Sequence, residues 1–171
     1  MVEEEFSFNI SLIKKYAVPI TLVIFLILGF YLRAYHIDYE SIGYHNMKEN
    51  EYLSETYNYY QDGLSIHIEV FYFAGDNEKP YFEEYPQLPL IPYAGYFMWH
   101  AFGESFWSIR ILIIMASLGG VLVSYFLSKR LTDNKEFSLL VAAVMTILPL
   151  NIFFGRNIQP EAPGLLFMLL T

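Results

Sequence analysis

The chain has no cysteine. Neither a disulfide framework nor a thiolate metal site can form. Charge is also sparse. Only 16% of the 171 residues are Asp, Glu, Lys or Arg, while 55% are hydrophobic and 19% aromatic. That is too little charge to clothe an ordinary soluble domain, and it points to an all-α integral membrane protein. Basic residues are scarcest where polar residues are commonest. Residues 34–105 hold twelve Asp or Glu and only two lysines, Lys48 and Lys79, so this segment alone carries −10. Phosphate backbones bind basic surfaces, so nucleic acid is excluded as a partner. A cation, or a neutral substrate that must lose a proton, fits better.

The long apolar runs lack acidic residues altogether. Residues 16–33 form the first, near the lower length limit for a spanning helix. A cleaved signal peptide is the competing reading, but Tyr31-Leu32-Arg33-Ala34-Tyr35 offers no small-residue cleavage site. Residues 106–128 and 137–154 are the second and third runs. Ser117-Leu118-Gly119-Gly120 supplies small residues for close helix contact. Residues 163–171 begin a fourth run, and nine residues cannot cross a bilayer as a helix. The chain therefore reads as the front portion of something longer.

Polar segments separate these runs: a tail at 1–15, the acidic loop at 34–105, a basic turn at 129–136 and a link at 155–162. Lys14, Lys15, Lys129, Arg130 and Lys135 fall on one side if the spans alternate, and the positive-inside rule makes that side cytoplasmic. The acidic loop and the 155–162 link then meet on the outer face.

Within the loop, Lys48 to Tyr60 reads as a helix, because Glu49, Tyr52, Thr56 and Tyr59 recur at three- and four-residue spacing. Asp62-Gly63 is its stop. Ile66 to Phe73 is β-branched and aromatic, so a short extended segment is expected, followed by a turn at Gly75-Asp76-Asn77. Leu88 to Phe102 is apolar but holds Pro89, Pro92, Gly95 and His100, which suits an interfacial or re-entrant piece.

The chemistry-bearing residues cluster in and beside this loop. His45 and Glu49 are four apart, a spacing compatible with a divalent metal, although a solvated pair at a helix start is the favoured reading. Glu83-Glu84 stand before Pro86 at the entry to the interfacial piece. Arg110, Arg156 and Glu161 lie at the edges of apolar runs, where a charge must snorkel, pair or face a polar cavity. Mutual pairing of Arg156 and Glu161 is the simplest structural account of those two.

The order of these features resembles the N-terminal part of the GT-C glycosyltransferases, the group of protein mannosyltransferases and aminoarabinose transferases. Lys48-Glu49-Asn50-Glu51-Tyr52, with Gly63 eleven residues beyond Tyr52, stands at the family's Asp-Glu-x-x-Tyr motif. Glu84-Tyr85-Pro86-Gln87-Leu88 stands at its Glu-Lys-Pro-Pro-Leu stretch. Phe102-Gly103-Glu104-Ser105, Arg110, Leu127 to Leu131, Pro149 and Arg156 through Pro160-Glu161 follow in the family's order. The likeness runs from about Leu22 to Thr171.

The resemblance implies a multi-pass cell-membrane enzyme with amphipathic helices in its outer loop. Such an enzyme transfers a sugar, with inversion, from a polyprenyl-phosphate-linked donor to a protein, lipid or glycan hydroxyl. It implies Glu49 as first choice of catalytic base and Glu51 as second. Lys48, Tyr52, Glu83, Glu84, Arg156 and Glu161 would contact substrate, Arg156 facing the phosphate. No cofactor is implied with certainty, and a divalent metal, near His45, is left open. Two positions depart from the pattern. The family's first acid falls on Lys48, and the aminoarabinose transferases' Lys falls on Tyr85. Two other readings remain: a non-catalytic accessory subunit, and a cation-transport component, against which the acid-free spans count.

Overall fold

The computed structural model describes residues 2–41, 46–64, 70–72, 81–83 and 88–171, with backbone alone at 2–15, 46, 70–72 and 81–83. Seven helices and one short strand pair make up these residues. In chain order they are α1 (Val2–Ala34), α2 (Asn46–Asp62), β1 (Val70–Tyr72), β2 (Tyr81–Glu83), α3 (Leu90–Phe102), α4 (Phe106–Thr132), α5 (Lys135–Ile147), α6 (Pro149–Phe154) and α7 (Glu161–Leu170). The all-helical expectation holds apart from the strands. They pair antiparallel over three residues each, and β1 falls inside the extended segment expected at 66–73. The turn expected at Gly75 to Asn77 lies outside the described residues.

Among the described residues, two helices are long and apolar enough to cross a membrane: Tyr16–Ala34 within α1, at 19 residues, and α4, at 27. Large apolar side chains of α1 stay uncovered on one side, among them Ile20, Val23, Ile24, Ile27 and Tyr31. Helix α4 is the centre of the packing. It meets α1, α3, α5 and α7, and its small residues let them approach. Leu22 of α1, Val121 and Tyr125 of α4 and Ala142 of α5 form one buried cluster. A Cβ on Gly119 would stand 3.2 Å from Leu166 of α7, so the glycine sets that separation. Between α4 and α5, Asp133 takes a left-handed conformation and Asn134 caps α5, its side chain accepting from Glu136 N–H and Phe137 N–H at 3.0 Å.

The third apolar run is not one helix. It breaks at Leu148, between α5 and α6. Pro149 has no N–H to give the Met145 carbonyl, and its ring disfavours a helical residue before it. The break leaves the Met145 and Thr146 carbonyls without helical donors. Arg33, fully buried at the end of α1, supplies them: Nη2 donates to Met145 O and Nη1 to Thr146 O, each at 3.2 Å. Its Nε donates to Ser117 Oγ at 2.8 Å, and Asn151 Nδ2 also donates to Met145 O. A guanidinium at an apolar helix end thus acts as a helix cap in trans. Gly155 leaves room for it, since a Cβ there would fall on Ser117 Oγ and lie 2.7 Å from Arg33 Nε.

Arg33→Ala is expected to destabilise the protein by roughly 2–4 kcal/mol, because Thr146 O and Ser117 Oγ lose their donor and Met145 O keeps only Asn151. Arg33→Lys recovers little of this, since a single ammonium cannot span three acceptors. Thermal melts of the protein in lipid nanodiscs check the order wild type, Lys, Ala. An unaltered melt for Ala contradicts the capping role.

Candidate active site

Helix α2 lies as the heptad-like spacing predicted, and Gly63 ends it with φ 92° and its N–H on Tyr59 O. Helix α3 packs against it closely. A Cβ on Gly95 would stand 2.7 Å from Thr56 Cγ2, so only glycine permits this approach. Trp99, Ile109 and Ile158 form the buried cluster beneath, with Tyr52, Leu53 and Tyr60 packed on it.

Glu49 points into this interior and is 2% exposed. Its Oε1 accepts from Arg110 Nε and Nη2, both at 3.1 Å, and from the Ile158 N–H at 3.2 Å. Its Oε2 accepts from Ser41 Oγ at 2.8 Å. Arg110 in turn donates through Nη1 to the carbonyls of Ile37, at 2.7 Å, and Tyr39. One ion pair therefore joins the α1–α2 loop, α2, α4 and the link before α7. Arg110 pairs inside the protein and does not snorkel, being only 4% exposed.

This places the expected base, Glu49, in a buried ion pair. A base must have a free lone pair within reach of the proton it takes. Glu49 has three donors on Oε1 and one on Oε2, and it stands away from solvent. It is a strut.

The residues on another side of α2 are arranged differently. Lys48, Glu51, Tyr52 and Glu55 share one face of α2 at three- and four-residue intervals, and Lys48 and Tyr52 stand near Glu161 at the start of α7. Lys48 Nζ stands 3.9 Å from Glu161 Oε1, an ion pair with Lys48 largely exposed. Burial first, then the charges of Glu51, Glu161 and Glu55, hold the Tyr52 phenol above its ordinary range. Tyr52 stays a neutral hydroxyl among three acidic side chains.

The expected Arg156–Glu161 pair does not form. Glu161 opens α7 beyond Pro160 and turns to Lys48, while Arg156 Nη2 donates to the His36 carbonyl at 3.2 Å. Burial, then the nearby Arg110, lowers the Arg156 pKa, and Glu49 opposes the fall. Arg156 remains a cation beside the strut. His45 and Glu84 lie outside the described residues, as does the side chain of Glu83. Among the described residues no group of three His, Asp or Glu side chains is placed to hold a metal ion.

Sequence reasoning missed Glu55. It is 5% exposed, and its carboxyl is pushed up to about 7 from 4.5, by burial first and Glu51 second. The signal was its position four residues after Glu51 on an aromatic helix face. The native state keeps this proton where the unfolded chain has released it. That contribution is whole below about pH 4.5 and is lost as pH rises through about 7. The protein is expected to melt lower at about pH 8 than at about pH 5. Glu55→Gln removes much of this slope and is the more stable form at about pH 8, by about 2–3 kcal/mol. Melts of both proteins at the two pH values check it, and an equal slope in the variant contradicts it.

A family model described as dolichyl-phosphate-mannose-protein mannosyltransferase matches residues 84–171, just over half of the chain. The chain belongs to this family. The match takes in α3 to α7, and so Arg110, Arg156, Ile158 and Glu161. Helix α2, with Lys48 to Glu55, lies outside the matched range. The family is one of GT-C-type glycosyltransferases and is membrane-associated, in keeping with the two long apolar helices. No curated protein and no solved structure matches the chain.

Proposed function

We propose that this chain is the front portion of a multi-pass GT-C glycosyltransferase that moves a sugar from a polyprenyl phosphate to a hydroxyl acceptor on the outer face, with inversion. Family membership carries the reaction class. The observation that carries the site is the strut: Glu49 and Arg110 draw α2 against the link before α7. Two polar segments far apart in sequence thereby share one edge of the helical bundle, at the ends of α1 and α4.

Three roles follow. Glu51, on the face of α2 that carries Lys48 and Tyr52, takes the proton from the acceptor hydroxyl as its oxygen attacks the anomeric carbon. The anomeric carbon–oxygen bond breaks and the polyprenyl phosphate leaves with the electron pair. Arg156 and Lys48 are the cations at hand for that phosphate. Tyr52 and Glu161 position the donor sugar through hydroxyl hydrogen bonds, and Glu83 and Glu84, which precede α3 in the sequence, contact substrate as well. The Lys48–Glu161 pair holds the two segments in register until phosphate competes for the ammonium.

The membrane reading follows from the uncovered apolar side of α1 and the exposed Phe126, Phe167 and Met168 on α4 and α7. Such faces find a stable solvent in lipid. The acidic loop then lies outside and Lys129, Arg130 and Lys135 lie in the cytoplasm.

The test uses membranes containing the full-length protein and a panel of radiolabelled polyprenyl-phosphate sugars. Transfer of label to a protein, lipid or glycan fraction, with inverted anomeric configuration, is the expected result. Label passing from a nucleotide sugar and from none of the lipid-linked donors would overturn the reading.

A further inference from the structure

The side of α2 turned away from Lys48, Glu51 and Glu55 borders a cavity of about 810 Å³. Asn50, Ser54, Tyr57 and Gln61 line it from one face of α2, and Asp62 lines it from that helix's last turn. Trp99 and Glu104 line it from α3 and the junction before α4. At 100° per residue, this face is centred roughly 140° around the helix from the row holding Glu51 and Glu55. It is not part of the site described above.

The lining has a definite chemistry. Among the described residues it holds amides, hydroxyls, two carboxylates and three aromatic rings, and no Lys, Arg or His. A phosphate or other anion would meet Asp62 and Glu104 with no cation to offset them, so a lipid phosphate does not belong here. Amides both donate and accept, and carboxylates accept from adjacent hydroxyls, which suits vicinal diols. Tyr57, 46% exposed, offers a flat apolar face of the kind that packs against sugar C–H groups. The wall is built and not left to chance. Trp99 is 5% exposed, and its Nε1 donates to the Ser105 carbonyl at 3.0 Å, fixing the Gly103-to-Phe106 junction against α3. The volume suits two or three sugar rings, being within the range of sites for small ligands.

We propose that this cavity binds an uncharged oligosaccharide, apart from the reacting centre. The ligand is a glycan already in place on a molecule the protein handles, held along α2 while the reaction takes place on that helix's other side. A cationic peptide is the rival occupant, since it would also satisfy two carboxylates. It leaves the amides and the exposed ring without a matching role.

The experiment is saturation-transfer NMR on the full-length protein in lipid nanodiscs, which avoids competition from sugar-based detergents. The probes are mannotriose and maltotriose, with mannose 6-phosphate and a tri-lysine peptide beside them. Saturable transfer to a neutral trisaccharide is expected, weakened roughly tenfold by Tyr57→Ala and by Gln61→Ala, with mannose 6-phosphate binding no better than buffer controls. Both substituted residues are partly or fully exposed, and melting curves of the variants confirm that they fold. No saturable transfer to either trisaccharide overturns the proposal, as does binding that neither variant weakens. Binding of the peptide with the same loss in both variants assigns the groove to peptide and overturns it too. Sugar transfer by the protein is scored separately. An active transferase with no trisaccharide binding removes this site alone, and binding without transfer leaves it standing.

Discussion

Arg110→Ala is expected to be the most damaging single change in the described part of the chain, costing about 3–5 kcal/mol and most of the folded protein. Removing the guanidinium leaves the Glu49 carboxylate buried and without its counter-ion. It also frees the Ile37 and Tyr39 carbonyls that shape the loop into α2. Glu49→Gln costs less, because an amide oxygen still accepts from Arg110 and from the Ile158 N–H. The pair Glu49→Leu with Arg110→Met is expected to be milder than Arg110→Ala alone, since it removes both buried charges together. It does not return to wild type, because the loop carbonyls stay unpaired. Melting curves in nanodiscs give the order: wild type, Glu49→Gln, the double variant, Arg110→Ala. An Arg110→Ala protein as stable as wild type would mean that the buried pair holds nothing together.

The second large effect is on the reaction. Glu51→Gln is expected to lower transfer by roughly 10²–10⁴-fold, the usual worth of a positioned general base. The fall belongs in kcat, with KM for the lipid-linked donor little changed, because the proton moves only in the transition state. Lys48→Gln should instead raise the donor KM, since its ammonium is assigned to a phosphate that is present in both ground and transition states. Initial rates across donor concentration separate the two. A Glu51→Gln variant with wild-type kcat would remove that carboxylate from the chemistry.

The elements were largely legible in the chain, and the reasons are local. Three- and four-residue spacing placed α2, and Gly63 at positive φ stopped it where the sequence said. Apolar length placed α1 and α4. The family likeness rested on residues that the matched range in part includes, from Glu84 onward. What the sequence hid were relations across distance. Pro149 announces a break in the third run, but nothing local says that Arg33, more than a hundred residues earlier, will cap the freed carbonyls. Motif order put Glu49 first as base because the family's second acid falls on it, and two acids two residues apart look interchangeable. Over two residues a helix turns about 200°, which sends Glu49 inward to Arg110 and leaves Glu51 on the side that carries Lys48 and Tyr52. Arg156 and Glu161 looked paired because they are five apart. The chain turns at Pro160, and each finds a partner on another segment.

The most direct test of this account compares sugar transfer by Glu49→Gln and Glu51→Gln, each expressed per folded molecule in nanodiscs. The account predicts that Glu49→Gln yields less folded protein, and that what folds still transfers sugar at a rate near wild type. It predicts that Glu51→Gln folds in full and transfers almost nothing. The reverse result, a well-folded and inactive Glu49→Gln beside an active Glu51→Gln, would contradict it and return the proton transfer to the buried carboxylate.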